Sequence, residues 1–374
     1  MHFIICIFGV LAWINIQAQS NLTKTIQHDG MTREYKIYIP ASYVNGNPVP
    51  LVFNLHGYTS NMTQQEVYGD FRPIADTANF IIVHPNGTFD NSGNRWWNAY
   101  GLAAPDDVDF ISKLIDSVSA DYSIDPERIY STGMSNGGFM SFELACTLGN
   151  RIAAVASVTG TMPAGSFSGC NAPKPTPIMQ IHGTADPTVP YNGSASLESV
   201  PAVVGYWVGQ TNSNTTPTVI NVPDTDPNDG CTAEHYIYPG GDQNSSVEHF
   251  KIINGGHTWP GAPVNIGTTN HDIDASVEIW RFFSKYRLNE LLSVEESDKP
   301  ADELKVYPNP SEGQLNLYFS QGSGSYEIID ALGRIVLSAD IVSTQNTVFL
   351  KDKGVYFLRY NSGSETKTVK FIVH

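Results

Sequence analysis

Three local patterns meet at Ser135, and neither an all-helical nor an all-strand fold accommodates them together. The run Arg128-Ile129-Tyr130-Ser131-Thr132 is strand-like, Gly133-Met134-Ser135-Asn136-Gly137 follows it, and Gly138-Phe139-Met140-Ser141-Phe142-Glu143-Leu144-Ala145 reads as a helix. A strand that passes straight into a helix needs a sharp turn, in which small neighbours make room and the serine hydroxyl is lifted above the sheet. A Gly-x-Ser-x-Gly string arises by chance in roughly one chain of this size in ten. It gains meaning when a donor loop precedes it and an acid and a histidine follow in that order.

The surrounding chain supplies a sheet for such a turn. Pro50-Leu51-Val52-Phe53-Asn54-Leu55, Phe80-Ile81-Ile82-Val83, Ile152 to Val158 and Pro177-Ile178-Met179-Gln180-Ile181 are short apolar runs, as in strands buried on both faces of a parallel sheet. From Arg33 to Ile39 polar and apolar residues alternate, which reads as a half-exposed antiparallel strand. A helix opening at Pro105-Asp106-Asp107 carries Val108, Ile111, Leu114, Ile115 and Val118 at helical spacing, and Ala275 to Phe283 forms a closing helix. The alternation predicts a mostly parallel, doubly wound α/β sheet, which binds ligands at the carboxyl ends of its strands.

Past this region the pattern changes. Residues 291–303 are charged and poor in apolar residues, and read as a linker. From residue 304 to 374, short strands recur with turn residues between them, which predicts a small all-β sandwich. Residues 1–18 read as a secretory signal, because the apolar run from Phe3 to Trp13 is too short for a membrane span and leads to a small-residue region before Ala18. No transmembrane segment is expected once it is removed. The 21 Lys and Arg against 37 Asp and Glu make nucleic acid and anionic membranes poor partners.

Of the four cysteines, Cys6 leaves with the signal. The other three imply one disulfide and one odd thiol in an exported protein. Cys146 with Cys170 is the favoured pair, since it would brace the helix after Ser135, and Cys170 with Cys231 stays open. No paired His or Cys spacing indicates a metal site, and no glycine string has a nucleotide-binding form, so no cofactor is expected.

Residue types and positions then select a candidate constellation. Asp186, in His182-Gly183-Thr184-Ala185-Asp186, follows a buried strand after Ser135, whereas Asp106 and Asp107 precede the serine and serve as helix caps. His257, in Gly255-Gly256-His257-Thr258-Trp259-Pro260-Gly261, lies on a flexible loop after a strand, with the access a general base needs. His235 and His249 alternate within strands, His182 is expected to bond backbone, and His271 is placed to cap the closing helix. An oxyanion hole needs two N–H donors; the natural pair is Asn136 and Tyr58, with Thr59 as the fallback. Side-chain packing against the loop is expected of His56. Trp96, Trp97 and Trp259 are candidates for walls of a substrate pocket.

With these residues in view, the region from about 30 to 285 resembles the secreted α/β-hydrolase esterases grouped as the polyhydroxybutyrate depolymerase-like family, which overlaps the feruloyl and acetylxylan esterases of carbohydrate esterase family one. The strings that carry the resemblance are Leu55-His56-Gly57, Asp106-Asp107-Val108-Asp109-Phe110, Asp125-Pro126-Glu127-Arg128-Ile129-Tyr130, Gly133 to Gly138, His182 to Asp186 and Gly256 to Gly261. It implies an α/β-hydrolase fold over residues 19–290, with Ser135, Asp186 and His257 as a triad. The tail resembles the C-terminal sorting domain of the type IX secretion system of Bacteroidota, through Tyr307-Pro308-Asn309-Pro310, Gly333-Arg334, Gly354-Val355-Tyr356-Phe357-Leu358 and the lysine-bearing strand at the end. The resemblance implies export to the cell surface or medium by that machinery, and hydrolysis of feruloyl or acetyl esters on plant polysaccharide. Polyester depolymerisation is the alternative activity, and an inactive glycan-binding fold the non-enzymatic one.

Overall fold

The structure, a computed structural model, describes residues 19–101, 104–289 and 304–374, apart from 312, 320–323, 331–333, 342 and 362–365. The expected signal (1–18) and linker (291–303) lie outside the described residues, as does Gly333. The described residues form two compact units, one before and one after residues 290–303.

The first unit contains β1 (Ser20–His28), β2 (Met31–Ile39), β3 (Val49–Leu55), α1 (Met62–Tyr68), α2 (Arg72–Ala78), β4 (Ile81–Pro85), β5 (Thr88–Phe89), β6 (Arg95–Trp96), α3 (Asp107–Asp121), β7 (Ile124–Met134) and α4 (Asn136–Thr147). It continues with β8 (Ala154–Val158), β9 (Ile178–Gly183), α5 (Val200–Gln210), β10 (Thr218–Asn221), β11 (Thr232–Tyr238), β12 (Val247–Ile253) and α6 (Ala275–Phe283). Ten strands make one sheet in the order β1-β2-β4-β3-β7-β8-β9-β12-β11-β10. The six from β4 to β12 run parallel, and the strands beyond them on either edge pair antiparallel.

The apolar runs are the parallel strands because both of their faces are covered. Leu51, Phe53 and Leu55 of β3 enter one core with residues of α3, α4 and α5, while Val52 enters a second core with residues of α2 and α6. Ile81 and Val83 divide from Ile82 in the same way. Each such side chain, once fully buried, contributes about 1.5–3 kcal/mol. β1 has no apolar run to announce it: most of its residues are exposed, and the strand is held by backbone pairing to β2. β7 starts earlier than its apolar stretch, and a register shift against β3 accommodates its opening around Pro126.

The caps follow the chemistry of short polar side chains. Asp106 accepts from the Asp109 N–H at the start of α3. At α6 the cap is Asp274, which accepts from Ser276 and Val277, and not His271, whose ring instead meets the Asn265 amide. Among the cysteines, Cys146 and Cys170 are joined, with Cα atoms 4.8 Å apart, so α4 is tied to the long loop after β8. Cys231 is a buried free thiol.

The second unit holds β13 (Lys305–Tyr307), β14 (Gln314–Tyr318), β15 (Ser325–Asp330), β16 (Ile335–Asp340), β17 (Gln345–Phe349), β18 (Gly354–Asn361) and β19 (Thr366–Val373). They make two sheets, β13-β14-β17 and β16-β15-β18-β19. Leu315, Leu317 and Val348 from one sheet share a core with Ile328, Leu358, Tyr360 and Phe371 from the other. Alternation in β14, with Leu315 and Leu317 buried between Gln314 and Tyr318, is what a sheet covered on one face requires.

Candidate active site

β7 ends at Met134 and α4 begins at Asn136, so Ser135 alone makes the turn, at φ 54° and ψ −121°. That conformation is strained for a residue with a Cβ. Its N–H donates to Val158 O at 2.8 Å, which ties the turn to the end of β8. Two glycines permit it by close approach. A Cβ on Gly133 would lie 2.6 Å from the backbone of Gly137, and one on Gly137 only 2.2 Å from Leu55 O. The turn therefore packs onto the end of β3, and this brings the loop after β3 beside the serine, with Gly57 against the Ser135 Cβ.

The acid and the histidine arrive from neighbouring strands, since β7, β8, β9 and β12 are consecutive in the sheet. Asp186 lies just past β9, and its Oδ1 accepts from the backbone N–H groups of Thr188 and Val189, each at 2.8 Å. Its Oδ2 faces His257 Nδ1 at 2.7 Å and His182 Nε2 at 3.3 Å. Burial raises the Asp186 pKa, but hydrogen bonds from His182 and His257, the His257 charge and the Val189 N–H outweigh it and hold the carboxyl well below the usual range. His257 sits past β12 on a loop fixed by Gly256 N–H to Thr268 O and by Thr258 Oγ1 to the same carbonyl. Ser135 and His257 line one cavity of about 670 Å³.

The N–H groups of Tyr58 and Asn136 carry no hydrogen bond among the described residues. That of Thr59 does: it donates to Arg95 O at 2.8 Å, which removes the fallback donor. Asn136 also begins α4, where free N–H groups and the helix dipole favour negative charge. Its side chain clamps the backbone of Trp97, accepting from the N–H at 2.6 Å and donating to the carbonyl at 3.0 Å.

The tryptophans require correction. Trp97 is 0% exposed and Trp259 1% exposed, so neither presents a face to a substrate. Trp97 donates its indole N–H to His56 O at 2.9 Å and stacks on Phe110; Trp259 donates to Ser276 Oγ and meets Phe71 edge-on. Trp96 is half-buried in β6, and the cavity is walled instead by Tyr58, Val67, Tyr68, Val264 and Ile266. Of these, Tyr58, Val67, Val264 and Ile266 are exposed. Local periodicity does not mark them, because Val264 and Ile266 sit in an irregular Pro- and Gly-rich loop.

The other titratable groups build the frame. His56 donates from Nδ1 to Gly57 O at 2.7 Å and accepts the Gly87 N–H at Nε2, and burial pushes its pKa down to about 4, so it is a neutral brace of the loop. His182 faces Val189 O through Nε2 and the Gln180 amide through Nδ1. His235 and His249 are both buried: His235 meets Glu248 at 2.7 Å, and His249 meets Tyr191 Oη and Gln180 O. Asp107 is not a cap as expected but the first residue of α3, and its carboxylate turns inward to form a buried ion pair with Arg33 at 2.7 Å and to accept the Asn98 N–H at 2.8 Å. Among the described residues, His28, Asp29 and Asp109 bring their ligand atoms within 4.8 Å of one another, and Lys113 already pairs with Asp109 at 2.7 Å.

Residues 49–204 match the phospholipase/carboxylesterase family, and residues 305–374 match the secretion system C-terminal sorting domain. A probable feruloyl esterase C of Aspergillus niger is 31% identical over 259 residues, which cover 67% of this chain and 83% of that protein. The chain belongs to this family of carboxylic-ester hydrolases. The esterase is also similar to a bifunctional acetylxylan esterase/xylanase of Neocallimastix patriciarum, 25% identical over 70% of this chain, and spans about a third, 35%, of that protein's length. A solved acetyl xylan esterase from Aspergillus awamori shares the fold, with a TM-score of 0.50 at 14% identity over 70% of this chain and 99% of that one. The tail is a type IX sorting domain, and no helix among the described residues is long and apolar enough to cross a membrane.

Proposed function

We propose that this esterase is exported and removes hydroxycinnamoyl groups, such as feruloyl, from plant polysaccharide through an acyl-enzyme on Ser135. The observation that carries the reading is the Asp186–His257 contact of 2.7 Å, with His257 and the strained Ser135 lining one cavity. The chemistry follows from the residues. His257 accepts the Ser135 proton as Oγ attacks the ester carbonyl, and ionised Asp186 holds the Nδ1–H tautomer and stabilises the imidazolium. The N–H groups of Tyr58 and Asn136 receive the negative oxygen of the tetrahedral intermediate. On collapse, His257 returns the proton to the leaving alcohol, and the same base then activates water against the acyl-enzyme.

The acyl group is argued from the cavity. A space of about 670 Å³ walled by Tyr58, Tyr68, Val67, Val264 and Ile266 suits a planar aromatic acid, whereas an acetyl group would fill a small corner of it. The feruloyl esterase C relatives support the same choice. The sorting domain supports release through the outer membrane, so deleting residues 305–374 in the native host is expected to retain the enzyme inside it.

The test is to assay purified protein side by side on methyl ferulate, acetylated xylan and polyhydroxybutyrate film. A kcat/KM on methyl ferulate at least tenfold above that on acetylated xylan supports the reading. Hydrolysis confined to the polyester film would replace it.

A further inference from the structure

We propose that the polar groove beside the catalytic cavity binds the sugar chain bearing the ester, with Phe89 as its stacking platform. This rests on the polysaccharide-esterase reading and extends it to the alcohol side of the bond. The groove has a volume of about 450 Å³ and is lined in part by Asn61, Phe89, Asn94 and Arg95. Thr59, Ser60 and Thr63 line both the groove and the catalytic cavity, so the two spaces share a wall. In any ester the acyl and alcohol groups flank one carbonyl. With the acyl group in the apolar cavity, the alcohol needs a contiguous space, and this groove is one.

Its chemistry suits a carbohydrate. Phe89, at the end of β5, is 61% exposed, and the Arg95 guanidinium lies 4.3 Å from its ring centre. The cation fixes one face of the ring and leaves the other for the C–H face of a sugar. Arg95 is also, among the described residues, the one arginine with no carboxylate within 4.0 Å. It donates to Gly87 O at 2.7 Å and keeps further N–H donors. Asn61 spends its oxygen capping α1, and Asn94 spends its amide N–H on Tyr58 Oη at 2.8 Å. The side-chain NH₂ of Asn61 and the side-chain Oδ1 of Asn94 remain without a hydrogen-bond partner among the described residues. Donors, acceptors and an aromatic face together match a polyhydroxylated ring, and a polyester chain has no hydroxyls to use them.

The platform is held in register with the catalytic loop. Asp90 accepts the backbone N–H groups of Ser92 and Asn94 through Oδ1, and the Tyr58 hydroxyl through Oδ2 at 2.7 Å. Tyr58 therefore links the groove to the proposed oxyanion donor in a single residue.

The experiment measures kcat/KM on a feruloylated arabinoxylan oligosaccharide and on methyl ferulate for the full-length enzyme. The wild type is expected to prefer the oligosaccharide. Phe89→Ala is expected to lower the ratio of the two values about five- to tenfold, mainly through KM on the oligosaccharide, and Phe89→Trp to preserve it. Turnover of methyl ferulate in the same preparations reports the fold. A ratio that stays within twofold of wild type in Phe89→Ala overturns the subsite. A wild type inactive on both esters would instead sink the feruloyl reading, and the subsite with it.

Discussion

Asp186→Asn tests the proposed triad through an orientation that the backbone imposes. The N–H groups of Thr188 and Val189, each 2.8 Å from Oδ1, require an acceptor at that position, so the asparagine oxygen stays there and its NH₂ takes the place of Oδ2. His257 Nδ1, 2.7 Å away, then meets a donor where it had an acceptor. The ring answers by moving its proton to Nε2, the nitrogen that the proposed mechanism needs as the base toward Ser135, and leaves no lone pair there. Flipping the amide would restore the Nδ1–H tautomer but would set NH₂ against two N–H groups, of which that of Val189 is buried and alone costs about 1–3 kcal/mol. The wrong tautomer is the cheaper state. The expected loss is about 10⁴ in kcat, or roughly 5.5 kcal/mol in the barrier. The assay is kcat on methyl ferulate, with circular dichroism to confirm the native fold. A folded Asp186→Asn enzyme within tenfold of wild type would refute both the tautomer argument and the role of Asp186.

Ser135→Ala is expected to lower kcat by about 10⁵ or more, and because alanine inherits the φ of 54°, Ser135→Gly should be equally inactive yet more stable than Ser135→Ala by about 1 kcal/mol in urea unfolding. Asp107→Ala leaves Arg33 buried without its counter-ion, so a loss of about 3–5 kcal/mol in stability is expected, and a loss below 1 kcal/mol would show that the pair is not a brace. Burial keeps His56 and His84 neutral down to about pH 4, and His249 down to about 3, whereas the unfolded chain protonates them near 6.5. The unfolded state therefore holds more protons in that window, stability is lost as pH falls through it, and the urea midpoint should drop between pH 6.5 and 4.5; a flat midpoint would contradict the buried neutral rings.

Much of this esterase is legible in its sequence because the informative signals are local. A fully buried parallel strand must be a short apolar run, and the strands β3, β4, β8 and β9 declare themselves in this way. A serine between a strand and a helix must be flanked by residues that let two backbones approach within van der Waals contact, and Gly133 and Gly137 do so. The strand alternation of the tail is equally local. By contrast β1, which pairs through backbone groups and exposes most of its side chains, leaves no trace in apolar periodicity.

The arrangement of the site depended on the tertiary structure. Nothing between Ser135 and His257 states that β7, β8, β9 and β12 lie side by side, and only that order sets His257 against Asp186. The tryptophans show the same limit from the other direction. Trp97 and Trp259 lie in loop-like sequence, but their indoles find hydrogen-bond partners at His56 O and Ser276 Oγ that are remote in the chain, and those partners allow both rings to be buried. Val264 and Ile266 line the cavity from a loop whose far end returns to Gly256, just past β12, where Thr268 O accepts the Gly256 N–H. Chain-local patterning therefore determined which segments are strands, helices and turns, through steric and burial rules that act over a few residues. Which side chains face one another was decided by pairing between distant segments, where each donor must find its acceptor and each apolar surface its cover.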